Sequence, residues 1–328
     1  MGVITREALA AGVKTNFWQA FRQNESGAKE YLKHFCLFTN SQGRTDVEVY
    51  PTSMPHLKYY APGQGVPEDG YGEESFSYTT YDFGLDLSWY ERDREDQKVD
   101  LIQQKGTDSG LATAVLWERI LGQLCKQEEN SDLLPSISDF KAPDGVAPFS
   151  ATDGNGDDRY GVADGNLQSL TDFTLGGIED DLFTLGIPTF ARFKHTHLKT
   201  KIFTPQMLKR FLIIAPPEKF KAFAKLLFQE LQEATAGSQS SLIKDIKSRG
   251  YEFDLFLWPE LEGEDTWFLV AKDAPVLPFI TSETRGIQID PYDPKNSDDA
   301  RKGRKEGVTI TRRDKWGIGP CFGIIKFA

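Results

Sequence analysis

The sequence predicts an α+β fold, and three stretches carry that prediction. Asp46 to Asp96 reads as two long extended runs about a glycine- and proline-rich tip. Val99 to Glu129 has the apolar spacing of one long helix, and Phe211 to Ala271 runs strand, helix, helix, strand, strand, the pattern of a compact α/β unit.

In chain order, Glu7 to Phe38 is predicted helical. Phe17, Ala20 and Phe21, then Tyr31, Phe35 and Phe38, recur at helical intervals, with a break expected at Ser26-Gly27. The first extended run follows as Val47 to Tyr60, the tip as Ala61 to Gly70, and the return run as Phe76 to Tyr90. Successive strand residues point to opposite faces, and both faces of the return run carry aromatic or β-branched side chains. An isolated two-stranded arm has too little core to be stable in water. It needs a surface to lie against, and a neighbouring copy of the chain is the expected one. Tyr59, Tyr60, Tyr71, Phe76, Tyr78 and Tyr81 are the candidate inter-subunit contacts, each with packing inside its own subunit as the alternative.

After the charged turn Glu91 to Gln97, the helix from Val99 to Glu129 takes its stripe from Ala114, Trp117, Ile120, Leu121 and Leu124. Gly106 and Gly110 weaken its start, each by up to about 1 kcal/mol relative to alanine. Pro135 to Asn166, rich in Gly, Pro, Asp and Ser, reads as a long surface loop. A helix over Ile178 to Phe193 must be interrupted at Pro188. Phe211 to Ala215 suits a buried strand. Pro217 then opens a helix whose stripe runs from Phe220 to Leu231 and ends near Gly237. A short helix over Ser241 to Arg249 and strands over Tyr251 to Trp258 and Thr266 to Ala271 complete this unit. Asp290 to Gly307 reads as a charged loop, and Val308 to Arg313 and Gly319 to Phe327 as two final strands. No internal repeat is present.

Bulk composition narrows the function. A chain of 328 residues, 39% hydrophobic and 12% aromatic, folds into one large domain or two ordinary ones. Its net charge of −11 argues against binding DNA mainly by phosphate neutralisation. Cys36, Cys125 and Cys321 are too few and too scattered for a disulfide framework. The first residues lack the apolar core of a signal peptide. No run approaches the roughly 18 apolar residues of a membrane span.

Catalytic and metal signatures are weak. No strand is followed by a glycine-rich phosphate loop. His195 and His197 share one strand face as a pair of zinc ligands would, but no third ligand follows by spacing, and a polar surface segment is the simpler reading. Asp153-Gly-Asn-Gly-Asp157 with Asp158 and Asp164 resembles part of a calcium loop. Asp158 stands where that motif needs glycine, so an acidic turn is preferred. The pairs Glu264-Asp265 and Glu73-Glu74 fall at turns, where solvated charge is the default. No serine or cysteine sits in a nucleophile elbow. The basic cluster Arg301 to Lys305 with Arg312 and Arg313 lacks the interleaved aromatics of a nucleic-acid surface. No catalytic residue, cofactor or metal is therefore expected.

Several segments in order carry a resemblance. Gly65-Val-Pro-Glu-Asp-Gly-Tyr through Phe83-Gly-Leu-Asp-Leu-Ser-Trp-Tyr90, the acidic turn at Glu91, Ala142-Pro-Asp-Gly-Val-Ala-Pro-Phe-Ser, Phe211-Leu-Ile-Ile-Ala-Pro-Pro-Glu, Asp265-Thr-Trp-Phe-Leu-Val and Arg313-Asp-Lys-Trp-Gly-Ile-Gly-Pro resemble tailed-bacteriophage major capsid proteins of the Hong Kong 97-type fold, and most closely their Mu-like major head subunit branch. The resemblance implies an N-terminal arm (1–45), an extended β-hairpin or E-loop (46–90), a peripheral domain with a long spine helix (91–200), an α/β axial domain (201–285) and a return to the peripheral domain (286–328). It also implies a non-enzymatic subunit of a virion, assembled in the host cytoplasm into hexamers and pentamers. These would close an icosahedral shell around double-stranded DNA without sequence-specific binding. Portal and cement proteins are the implied partners, with no membrane involved. The chain begins almost at the arm, so a separate scaffold protein, or a removed extension, is expected as well. Two other readings stay open at this stage: an encapsulin-like compartment shell and a hydrolase whose carboxylates meet only in three dimensions.

Overall fold

The computed structural model describes residues 5–40, 45–51, 73–96, 98–130, 132–134, 136–195, 200–228, 231–234, 237–240, 246–291 and 305–328. The elements are α1 (Arg6–Leu32), β1 (Cys36–Asn40), β2 (Thr45–Pro51), β3 (Glu73–Tyr90), α2 (Glu91–Glu95), α3 (Val99–Ala114), α4 (Leu116–Lys126), β4 (Leu167–Gln168), α5 (Leu175–Asp180), α6 (Ile187–Arg192), β5 (Arg210–Ala215), α7 (Phe220–Phe228), β6 (Leu231–Ala234), β7 (Gly237–Ser240), β8 (Glu252–Leu257), β9 (Trp267–Ala271), β10 (Phe279–Pro291), β11 (Lys305–Ile318) and β12 (Ile324–Phe327).

Two five-stranded sheets organise them. The first has the order β1-β10-β11-β3-β2, the second β4-β12-β9-β5-β8. The second sheet is buried on both faces because its strands supply alternate residues to two cores. Leu212, Ile214, Phe268, Val270 and Ile324 face α4 and the first sheet, together with Trp117, Ile120, Leu121 and Leu124. Phe211, Ile213, Trp267, Leu269 and Phe327 face the other way, onto Ile178, Phe190 and Phe223. A third core lies between α1, α3 and the first sheet. It is built from Leu9, Val13, Phe17, Ile102, Leu87, Trp89 and Ile310.

The structure corrects several expected boundaries. α1 runs through Ser26-Gly27 without a break, because the Glu25–Lys29 pair bridges the weak spot one turn apart. It stops at Leu32 rather than Phe38. Cys36 to Asn40 instead pairs in parallel with β10, from Cys36 opposite Phe279 to Asn40 opposite Glu283. The long helix is two helices meeting at Val115. Ser109 and Thr113 each turn a hydroxyl back onto the carbonyl four residues earlier, at 2.7 and 2.8 Å, a bond that bends helices. Gly106 and Gly110 are contact positions. A Cβ at Gly106 would stand 2.6 Å from the Val13 carbonyl oxygen, and one at Gly110 2.4 Å from that of Phe17, so only glycine lets α1 and α3 approach this closely. Around Pro188 the helix loosens into a π-type turn over Asp181–Gly186, consistent with the missing proline N–H. The helix after Pro217 ends at Phe228, and Leu231 to Ala234 pairs with Gly237 to Ser240 as a hairpin. Of the expected helix over Ser241 to Arg249, the first five residues lie outside the described set.

The loop from Pro135 to Asn166 is held from inside. Arg159 is fully buried. It donates to both carboxylate oxygens of Asp144 at 2.7 and 3.0 Å, to the carbonyls of Ala147 and Pro148 at 3.0 and 2.8 Å, and to Asn166 Oδ1 at 3.1 Å. Asn166 in turn donates to the carbonyls of Pro148 and Cys321, tying the loop to the chain's last turn.

Candidate assembly interface

The expected hairpin is present at its base. β2 and β3 pair antiparallel from Thr45 opposite Thr79 to Pro51 opposite Glu73, and residues 52–72, which contain the expected tip, lie outside the described set. β3 spans 18 residues, roughly 60 Å at the usual rise. Its second half is built into the first sheet against β11, from Thr79 opposite Trp316 to Tyr90 opposite Lys305.

A line of charge on β11 fixes this root. On the inner face, the Trp117 indole N–H donates to Asp314 Oδ2 at 2.8 Å, and Arg312 Nε lies 2.7 Å from the same oxygen. The Arg312 guanidinium also sits 4.3 Å over the Trp117 ring and 3.3 Å from Glu283. Burial pushes the Asp314 carboxyl above the usual range, against the pull of Arg312 and the indole bond. On the other face, Arg313 pairs with Asp82 of β3, and Lys315 reaches past β3 to Asp46 of β2. Glu306 receives the Trp89 indole N–H at 3.2 Å and Arg94 Nε at 3.1 Å, clamping the end of β3 and α2 onto β11. These ion pairs and indole bonds hold the second half of β3 and α2, and the start of β2, onto β11.

The candidate contacts fall in different places. Tyr59, Tyr60 and Tyr71 lie outside the described residues. Phe76 is a β3 residue opposite Glu48. Tyr78 is only 3% exposed and abuts Gly317, where a Cβ would come within 2.5 Å of its own. Tyr81 is half-buried, with its ring 5.5 Å from that of Phe140. In the described subunit, Tyr78 and Tyr81 therefore pack within their own chain at the arm's root. Sequence reasoning missed Val47, Leu85 and Tyr90, which are 61%, 43% and 54% exposed. Their only advance signal was position in the extended runs.

Several of the described residues with candidate chemistry have structural partners. Asp153 Oδ1 accepts the backbone N–H groups of Asn155 and Asp157, closing an acidic turn. His195 is buried, and His197 lies outside the described residues. Asp265 pairs with Lys219 and Glu264 lies near Lys126. Among the described residues no group of three or more His, Cys, Asp or Glu side chains is placed to hold a metal ion. All three cysteines are buried, and burial pushes the Cys321 thiol up to about 12, far from a thiolate nucleophile. Among the described residues no helix is long and apolar enough to cross a membrane.

No protein-family model matches the sequence, and no curated protein matches it. Solved structures do match. The chain is similar to the capsid subunit of an empty GTA particle, with TM-score 0.57 and 9% identity over 90% of this chain and 89% of that one. It is similar to the mature capsid of bacteriophage PhiM1, with TM-score 0.52 and 13% identity over 89% and 84% of the two chains. The capsid of cyanophage P-SCSP1u gives TM-score 0.52 and 10% identity over 90% and 86%. At such identities the likeness speaks to fold, and the chain has the α+β fold of these capsid subunits over nearly its whole length.

Proposed function

We propose that the chain is a major capsid (head) subunit, a structural protein that assembles with copies of itself into an icosahedral shell enclosing double-stranded DNA. The observation that carries this reading is the end-to-end likeness of the fold to capsid subunits. Within it, 1–45 is the N-terminal arm, 46–90 the E-loop, 91–200 the peripheral domain with α3 and α4 as its spine, 201–285 the axial domain and 286–328 the return. The Mu-like assignment rests on the sequence motifs alone.

The physical case is consistent. An arm with aromatic residues on both faces gains roughly 25 cal/mol for each Å² of apolar surface it buries on a neighbour, before binding costs. Contacts between unlike surfaces, head to tail, generate rings, and many modest contacts sum to a stable shell. A net charge of −11 keeps packaged DNA from adhering to the wall. Portal, scaffold and cement proteins would be its partners, and the assembled virion its location.

The test is the content of the particle. Shells purified after co-expression with the neighbouring genes and treated with nuclease should retain protected double-stranded DNA. Shells that hold a folded enzyme and no nucleic acid would overturn this reading in favour of a protein compartment.

A further inference from the structure

The first sheet has a step in its edge. β2 covers β3 only from Glu73 to Thr79. From Tyr81 on, among the described residues, the ladder pairs β3 on one side alone, by β11. The open stretch ends at Ser88, whose carbonyl receives Lys105 Nζ at 3.0 Å. Among the described residues, Tyr81 to Leu87 therefore forms a seven-residue notch, the same length as β2 itself. In an antiparallel ladder each residue points both backbone groups to one side, so alternate residues here aim an N–H and a C=O outward.

Natural sheets blunt such edges with lysine, proline or unpaired charge. No lysine or proline stands in this stretch, and Asp86 is its one charge outside an ion pair among the described residues. Asp82 is taken up by Arg313, and Asp86 accepts the Thr309 hydroxyl at 2.8 Å, both on the same sheet. A groove of about 600 Å³ runs beside the edge, lined by Tyr81, Phe83 and Leu85 of β3 and by Leu116 and Leu133, with the charged Arg119, Asp132 and Arg312 among its walls. An open strand edge beside a groove of mixed apolar and charged lining is an arrangement that accepts an added strand. The backbone supplies the hydrogen bonds, and the groove receives every second side chain.

Resting on the shell reading above, we propose that this notch accepts a strand from a second copy of the chain. The chain carries the matching part. β2 is the outermost strand of the same sheet, equal in length to the notch, with Val47 61% exposed. One copy offers what another takes. The contact joins unlike surfaces, the kind that propagates into rings rather than stopping at a pair.

Hydrogen exchange on unassembled subunits and on intact particles tests this. In free subunits, alternate amides from Tyr81 to Leu87 should exchange fast, while those facing β11 are slow. In particles the fast set should slow by on the order of 100-fold or more. Leu85→Lys, at a position already 43% exposed, should leave the subunit folded and abolish assembly. Particles in which the notch amides stay fast, or Leu85→Lys subunits that assemble normally, would overturn the proposal and leave the shell reading standing. Amides already slow in free subunits would show that the chain covers its own edge, which also overturns it. Failure of the unaltered chain to form any particle would remove both readings.

Discussion

Replacing Gly110 by alanine tests the packing of α1 on α3. In an ordinary helix interior this change stabilises by about 1 kcal/mol. Here the new Cβ would stand 2.4 Å from the Phe17 carbonyl oxygen and 3.0 Å from the Ala20 Cβ. Because the first obstacle is backbone, no rotamer change relieves it. Restoring an ordinary 3.4 Å contact requires the helices to part locally by about 1 Å. A gap of that size forfeits a quarter to a half of the dispersion attraction between the facing side chains, here Val13, Phe17 and Ile102 among them. Overpacking of this kind costs about 1–3 kcal/mol. With backbone as the obstacle the steric cost outweighs the propensity gain, and a net loss of up to about 2 kcal/mol is expected. Gly176, exposed near the start of α5 with nothing within 4 Å of its would-be Cβ, is the control, and its alanine variant should be unchanged or more stable. Thermal unfolding of unassembled subunits, followed by circular dichroism, reads both. A Gly110→Ala protein as stable as the parent, or more so, would refute the close-contact reasoning.

Other predictions follow from the same geometry. Arg159→Met leaves the Ala147 and Pro148 carbonyls and the Asp144 carboxylate without their donor, a loss of about 3–5 kcal/mol for a broken buried pair. It should open residues 140–166 to limited proteolysis, and an unchanged digestion pattern would contradict it. Burial and the neighbouring Glu260 charge hold the Glu118 carboxyl above the usual glutamate range. A raised folded value means the folded state binds the proton more readily, so acidification from neutral through that value should stabilise the protein, the gain being complete below the ordinary glutamate range. Glu118→Gln should be the more stable form at neutral pH and lose its advantage on acidification, and a stability difference that ignores pH would refute the assignment. Tyr59→Ser combined with Tyr60→Ser should leave the subunit folded and block assembly, as judged by sedimentation, and normal shells from this variant would remove those two residues as anchors.

Much of the fold was legible because its signals are local. The base of the arm shows as two extended runs, and β5, β8 and β9 show as short apolar runs bounded by proline and glycine. β10 was missed. Its ladder with β11 shifts register between Glu283 and Arg285 and again between Arg285 and Gln288, so the alternation changes phase within the strand. β1 was misread because Phe35 and Phe38 continue the aromatic spacing of α1, although tertiary pairing with β10 decides their conformation. The long helix was found but not its bend, which depends on which way two hydroxyls turn. The root of the arm was illegible for a different reason. Lys315 and Asp46, or Trp117 and Asp314, lie hundreds of positions apart in sequence and become partners only through the strand order. Exposure was equally hidden. Tyr78 and Leu85 look alike in an extended run, yet one is 3% and the other 43% exposed.

If copies of this chain build a closed shell, electron microscopy of the purified protein, expressed alone and then with its neighbouring genes after sizing by sedimentation, should show closed shells, tubes or rings of five or six subunits. A monomer under every condition would rule the shell out.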